Sequence, residues 1–486
     1  MRLSKLASRL KEVKIICRED WEREIVSLSC YSQETEKSSL FFCLTGKGKD
    51  GHAYAKEAIK RGAVALVVER ELPVKVPQLL VKNAREAMSF IACAFYGDPS
   101  RDLKVIGVTG TNGKTTTVHM ISEILKKAGK HVGMIGTLGI SYGNVRLPND
   151  LTTPDPIFLQ RTFAQMRESG IEYVAMEVSA HALYYYKVAG VYFTACIFTN
   201  LTQDHLDFFE NMRDYANAKK RLFTRDICPL AIVNGDDDFS KELLVARNSA
   251  KTLVYGMKEK YDAFAEIKSE SLTGTEFVLQ FLDERRRVSL SMTGRHNVYN
   301  ALAACACAQA IGIPLRTVAW ALCEINGVNG RLEKAGEVRG AHIFVDFAHT
   351  PDGLEKSLSA LKKHCKGRLY CLFGCGGNRD KSKRAVMGET VATNADFAVL
   401  TSDNPRFEDP LDILSEIENG YKRISRKYVV VPNREEAIAY AVEKLKRGDI
   451  LLVAGKGGEE YQEIMGIKYP FKDNDIIKSC IREKQR

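Results

Sequence analysis

No apolar run in this 486-residue chain is long enough to cross a bilayer. The stretch Ala301 to Ala308 closes at Gln309, far short of the ~20 residues a spanning helix needs. Proline is sparse, at 13, and neither it nor the 36 glycines recur at a fixed interval, which excludes a fibrous chain. The 13 cysteines form no C-x-x-C pair, so there is neither a zinc ribbon nor a thioredoxin-type motif. Met1 to Lys14 carries charges every few residues and lacks the apolar core of a secretory leader. The net charge of +10 comes without an arginine-rich arm or basic blocks interleaved with aromatics. Basic pockets for small anions are therefore expected, with no nucleic-acid partner and no membrane.

What is present is 45% hydrophobic and 27% charged residues, the profile of a globular protein of about three domains. Cys93, Cys196, Cys305 and Cys307 sit inside apolar runs, where a reduced thiol behaves as a small hydrophobe. A reducing cytoplasm is the expected location. Residues 1–98 read as a small α/β unit, with short strands at Leu40–Leu44 and Val64–Val68 and a helix at His52–Arg61. The turn-rich Tyr96–Ser100 marks a boundary. Residues 99–328 then alternate strands and helices, which predicts a mostly parallel sheet covered on both faces. Between about Ala263 and Met292 the period falls to two, with Phe277, Leu279 and Phe281 alternating, so an antiparallel edge is expected. A helix is expected over Asn297–Ile311. From about residue 329 to 486 strands at Ile343–Phe347, Leu369–Phe373, Phe397–Thr401 and Ile450–Val453 predict a third, doubly wound α/β domain.

The strongest chemical signal is Gly110-Thr111-Asn112-Gly113-Lys114-Thr115-Thr116, between the expected strand Leu103–Val108 and a helix that Gly129 ends. Glycines let backbone N–H groups wrap phosphate oxygens, and the helix N-terminus adds partial positive charge. Lys114 can reach the β- and γ-phosphates, and Thr115 holds the hydroxyl position that usually ligates Mg²⁺. The common phosphate-binding loop has glycine six residues before its lysine, whereas Val108 stands there in this chain.

This variant loop resembles the ATP-binding loop of the Mur ligase family, cytoplasmic enzymes that build the peptide stem of peptidoglycan. The segments Glu177–Leu183, Thr199–Asp207, Gly294–Ala304, Gly330–Glu333 and Asp346–Pro351 extend the resemblance, in order, over essentially the whole chain. It implies three domains and an amide ligation in which ATP first converts a carboxylate to an acyl phosphate. An amine then attacks, giving amide, ADP and phosphate. By the same resemblance ATP and Mg²⁺ are the expected cofactors, Glu177 and His205 candidate metal ligands with Thr115, and Lys219 a lysine that becomes a metal-binding carbamate. Read without it, His205 is a structural histidine, Glu177 a strand-end carboxylate, and Lys219, like Lys220, a solvated helix residue. Arg331 is expected at the ATP phosphates and Asp346 at the ribose or a water near the γ-phosphate, or else both form a surface ion pair. His296, Asn297 and Asn300 suit the adenine edge, with helix N-capping by Asn297 as an alternative or additional role.

For a nucleotide-sugar substrate the matching positions are Ser32, Lys47, Thr152, Thr153, Ser179 and Lys187. Tyr185 stands at a usual Gln, Ala180 replaces a Ser and Lys187 replaces an Arg, keeping charge but losing the bidentate fork. In the third domain Arg379, the run Asp403-Asn404-Pro405-Arg406, and Gly455 with Glu459 match the branch that adds meso-diaminopimelate to UDP-N-acetylmuramoyl-L-alanyl-D-glutamate. Arg379 and Arg406 would take a terminal carboxylate and Glu459 the distal ammonium. Gly458 replaces a usual His. The competing readings are a lysine-adding ligase of the same step, a folylpolyglutamate synthetase, and an ATPase acting on nucleic acid or protein. A monomer acting on small molecules is expected.

Overall fold

The computed structural model describes residues 1–17, 20–46, 48–149, 151–224, 226–247 and 251–485. Three mixed α/β sheets carry it. The first is five-stranded, ordered Lys14–Ile16, Gln78–Leu80, Ala63–Val68, Ser39–Phe42, Ser27–Ser29, and parallel except at its first pair. Its buried face packs Leu40, Phe42, Ala65 and Val67 against Met88 and Ile91 of the helix Ala84–Phe95.

The second sheet has eleven strands. Its parallel centre runs Ala231–Asn234, Phe193–Phe198, Lys104–Thr109, Tyr173–Glu177, Val132–Gly136. Thr252–Gly256 and Ala263–Ser271 continue it in parallel, and Gly274–Phe281 and Glu284–Leu290 close that edge antiparallel. Phe277 and Leu279 are fully covered there, as the period-two alternation requires. The other edge turns antiparallel through Gly139–Tyr142 and Val145–Leu147, two short strands with half-exposed residues that leave little periodic signal. The helix Lys114–Lys127 buries Val118, Ile121, Ile124 and Leu125, and Gly129 ends it at a φ of 75°. Beside it the helix Arg295–Ala310 is buried from Ala301 to Ala308, its small Ala and Cys side chains allowing close approach.

The third sheet orders Glu333–Val338, Ala341–Asp346, Ile450–Ala454, Leu369–Phe373, Phe397–Leu400, Tyr428–Val430, with only the first pair antiparallel. Helices Pro351–Lys362, Ser382–Asn394 and Pro410–Tyr421 cover one face; Arg434–Lys444 and Asp473–Gln485 cover the other. A two-stranded hairpin, Tyr461–Ile464 with Ile467–Pro470, projects from it and has no counterpart among the expected elements. Among the described residues no cysteine is in a disulfide, and no helix is long and apolar enough to cross a membrane. The carboxyl ends of the second and third sheets face one another, the place where open parallel sheets hold their ligands.

Candidate functional site

Between those carboxyl ends lies a cavity of about 1030 Å³. Its end at the glycine-rich loop is built on backbone. A Cβ on Gly110 would lie 1.9 Å from Thr199 Oγ1, and one on Gly113 2.5 Å from Asn300 Oδ1, so only glycine lets the loop run this close. Thr199 and Asn200 clamp the loop from behind. Asn200 Oδ1 accepts from the Asn112 N–H (2.9 Å), while Thr199 Oγ1 and Asn200 Nδ2 donate to the Asn112 carbonyl (2.6 and 3.1 Å). Lys114 Nζ donates to the Gly110 and Thr111 carbonyls, both at 2.8 Å. Burial lowers its pKa from the ordinary lysine value, against the opposing pull of Glu177 and Asp204.

Thr115 Oγ1 donates to Glu177 Oε1 (3.0 Å) and accepts from Arg331 Nη2 (2.9 Å), so a side chain from just before the first strand of the third sheet reaches the loop directly. Glu177 is 1% exposed and also accepts from the Thr137 N–H at 2.8 Å. The Arg331 guanidinium stacks 4.2 Å from the Phe347 ring centroid. Asp346 accepts from the N–H groups of Leu332 (2.5 Å) and Ala348 (2.8 Å) and from Ser357 Oγ (3.2 Å). Burial raises its pKa, opposed by Arg331 and these donors.

Asp204, 3% exposed, sits at a junction of cations and imidazoles: Lys383 Nζ at 3.2 Å, His205 Nε2 at 3.3 Å and His349 Nε2 at 3.9 Å. Burial opposes its ionisation, but His205, Lys383 and His349 outweigh that and hold its pKa below the carboxylate range. The His181 ring stands edge-on to His205, 4.7 Å between centroids. Burial pulls both imidazoles down, His181 to about 4. His205, Leu332, Asn378 and Arg406 all adopt left-handed backbone, φ 58, 47, 52 and 53°, a strain that clusters at sites of function.

Lys219 is 1% exposed, its ammonium 4.0 Å from the centre of the Tyr215 ring. Among the described residues no oxygen accepts a hydrogen bond from it. Burial and then Lys114 lower its pKa well below the lysine value, with Asp204 opposing. Tyr215 on the same helix contacts Thr111 Oγ1 through its hydroxyl (3.2 Å), tying this helix to the loop.

At the far end, Arg379, Asp403, Asn404, Arg406, Gly455 and Glu459 line the cavity. Asn404 Nδ2 donates to Glu459 Oε2 (2.9 Å), and Lys456 Nζ donates to both Asn404 Oδ1 (3.0 Å) and Glu459 Oε2 (2.9 Å). Arg379 is exposed, and among the described residues it has no hydrogen-bonding or ionic partner. The third flank is formed by Thr152, Thr153, Ser179 and Lys187. Thr153 Oγ1 donates to the Glu177 carbonyl (2.9 Å), and Lys187 Nζ pairs with Asp155 at 2.8 Å.

Family models match three stretches: "Mur ligase family, catalytic domain" over residues 24–96, "Mur ligase middle domain" over 108–308, and "Mur ligase, glutamate ligase domain" over 330–457. A UDP-N-acetylmuramoyl-L-alanyl-D-glutamate–2,6-diaminopimelate ligase of Geobacillus thermodenitrificans is 43% identical over 95% of this chain and 96% of its own length. The chain belongs to the Mur ligase family. Among solved structures, one of a UDP-N-acetylmuramoyl-L-alanyl-D-glutamate–2,6-diaminopimelate ligase superposes at a TM-score of 0.70, with 29% identity, covering 100% of this chain and 99% of that one. A MurF ligase of Thermotoga maritima, solved in complex with ADP, shares the fold at a TM-score of 0.62, 19% identity and coverage of 94% and 97%.

In this Mur ligase most of the residues singled out from sequence converge on the one cavity: Thr111 to Thr116, Thr152, Thr153, Glu177, Ser179, Lys187, His205, His296, Asn297, Asn300, Arg331, Asp346, Arg379, Asp403, Asn404, Arg406, Gly455 and Glu459. Gly110, Lys219 and Pro405 do not line it. Ser32 does not line it and instead donates to Glu57 Oε2 (3.0 Å); Lys47 lies outside the described residues. Asn297 is not an N-cap: the helix starts at Arg295 after Gly294, and Asn297 Nδ2 donates back to the Thr293 carbonyl at 2.8 Å. Nor are Arg331 and Asp346 a surface ion pair, since Asp346 is buried and Arg331 reaches Thr115 and stacks on Phe347. Lys219, unlike the half-exposed Lys220, is not solvated. Sequence reasoning missed Lys383, which no motif marks as Asp204's partner, and Thr137, whose N–H and hydroxyl orient Glu177.

Proposed function

We propose that this ligase adds meso-diaminopimelate to UDP-N-acetylmuramoyl-L-alanyl-D-glutamate, at the expense of ATP, in the cytoplasm. The observation that carries the reading is that the glycine-rich loop with Lys114 lines one cavity together with Arg379 and Arg406; a relative of that name at 43% identity over nearly full length supports it. The backbone N–H groups of residues 110–115, Lys114 and Arg331 hold the ATP phosphates and neutralise charge as the γ-phosphoryl group moves. The dipeptide carboxylate attacks the γ-phosphorus, ADP leaves, and an acyl phosphate results. The neutral amine of diaminopimelate then attacks the acyl carbon, phosphate leaves with the bonding pair, and the amine's surplus proton passes to solvent.

Thr115 Oγ1 and Glu177 form a pair of hard oxygen donors beside the phosphate loop, which fits Mg²⁺, a cation that keeps waters and phosphate oxygens in its shell. Bound there, it would supply charge neutralisation on the phosphates. Lys219 adds to that donor set if carbamylated. Burial and then Lys114 lower the pKa of its amine well below the lysine value, which shifts it towards the neutral, nucleophilic form that CO₂ requires, and the N–C bond formed releases one proton. Asp346 holds Leu332 and Ala348 in place through their N–H groups and stands on the cavity wall, where it would reach the ribose or a water near the γ-phosphate.

The test is product mass. With ATP, Mg²⁺, the UDP-dipeptide and diaminopimelate, the protein forms the tripeptide with one ADP per amide. ATP hydrolysis stimulated by nucleic acid, without amide, would refute the reading.

A further inference from the structure

We infer that Glu463 is a positioning residue for Arg406 and through it sets how strongly the pocket prefers an amino acid whose far end carries a carboxylate. This rests on the proposed function. Glu463 does not line the cavity; it stands behind Arg406 on the hairpin Tyr461–Ile464. Its Oε2 accepts from Arg406 Nε at 3.0 Å, with the two side chains 21% and 19% exposed. Arg406 Nη1 donates to the Gly377 carbonyl at 2.9 Å. Among the described residues Nη2 makes no hydrogen bond to protein. The guanidinium plane is thus fixed at two of its corners while its remaining N–H groups are left for a ligand.

The backbone enforces the same placement. Arg406 N–H donates to the Glu463 carbonyl (3.0 Å), Met465 N–H to the Arg406 carbonyl (2.7 Å), and Glu463 N–H to Asn404 Oδ1 (2.9 Å). Gln462 Nε2 adds a bond to the Asp403 carbonyl at 2.7 Å. The hairpin is stitched along the whole run from Asp403 to Arg406, and the left-handed φ of Arg406 is held by that stitching. There is little slack on the cavity side: a Cβ on Gly376 would lie 2.9 Å from Arg406 Nη1.

Two consequences follow from charge. A planar fork held at one edge by a carboxylate loses less freedom when it grips a second one, which favours a ligand carboxylate. The same carboxylate compensates Arg406 when no ligand carboxylate is present, so an amino acid such as lysine does not leave a bare cation behind. That compensation is the same in the free protein and with lysine bound, so removing Glu463 acts through Arg406 on the diaminopimelate side of the discrimination alone.

The experiment is steady-state ligation by the full-length protein with diaminopimelate or lysine as the varied amino acid, for Glu463→Ala and Glu463→Gln. Glu463→Ala should raise KM for diaminopimelate about tenfold, with kcat and the KM for ATP within twofold of the unmutated protein. Glu463→Gln, which keeps an acceptor for Nε, should recover most of that loss. With lysine neither change should exceed twofold. An unchanged KM for diaminopimelate in Glu463→Ala, or an equal rise in the KM for ATP, would overturn the inference while leaving the function standing. Absence of diaminopimelate ligation by the unmutated protein would instead remove the proposed function, and Glu463's role with it.

Discussion

The two ends of the cavity are built by different means. At the nucleotide end the loop from Gly110 to Thr116 presents backbone N–H groups. The loop is locked to its surroundings: the Thr115 hydroxyl to Glu177 and Arg331, and the Asn112 backbone N–H and carbonyl to the Asn200 side chain. At the end proposed for the amino acid the reaching groups are long side chains on loops. Arg379 is exposed, and Arg406 is held by Glu463 from a hairpin 57 residues further along the chain. The first arrangement suits a ligand that is always the same, since a rigid backbone cradle offers little to vary. The second leaves selectivity to a few replaceable side chains. The nucleotide end should therefore control whether ligation happens, and the amino-acid end which amine is used.

The sharpest break of that contrast is Lys114→Ala. Losing the cation at the β- and γ-phosphates should lower kcat by ~10³-fold or more with every amino acid alike, read as ADP release in the presence of the dipeptide. Lys219→Ala should also lose nearly all activity, with partial return on adding short carboxylates, whereas Lys220→Ala stays within twofold. Because burial depresses the Lys219 amine, Lys219→Met in CO₂-free buffer should be more stable than the unmutated chain, by about 1 kcal/mol in urea unfolding, while inactive.

At the other end Arg406→Ala should cost ~10²-fold in kcat/KM with diaminopimelate but less than about threefold with lysine. An equal loss with both would erase the distinction between the two ends. A separate effect, outside the site's chemistry, is on acid stability. His181, His296 and His349 are each lowered to about 4 by burial, so between about pH 6.5 and 4 the unfolded chain binds protons the folded one does not. Their contribution is intact above pH 6.5 and fades as pH falls towards 4. Unfolding midpoints at pH 7.5 and 5 should show that loss, and His296→Gln should reduce it.

The same contrast governs which features are legible in the amino-acid sequence. Gly110 to Thr116 is contiguous and its spacing is dictated by backbone approach to phosphate, so its place between strand and helix can be read directly. The alternation through Phe277 and Leu279 likewise announces the antiparallel edge, because one face has to be buried. The meander Gly139–Leu147 and the hairpin Tyr461–Pro470 leave no such mark, as half-exposed strands of three or four residues carry almost no periodicity. Lys383 and Glu463 cannot be found from spacing, since each acts on a residue far away in the chain: Asp204 and Arg406. Asn297 misleads for a local reason. An Asn near a helix start resembles a cap, but Gly294 already places that start two residues earlier.

One measurement bears most directly on the claim that the amino-acid end makes the choice. In a single-turnover reaction with ATP, UDP-dipeptide and equimolar diaminopimelate and lysine, the unmutated protein should yield diaminopimelate product almost alone, and Arg406→Ala should yield a mixture at an ADP burst of similar size. Equal incorporation of both amino acids by the unmutated protein would contradict the account.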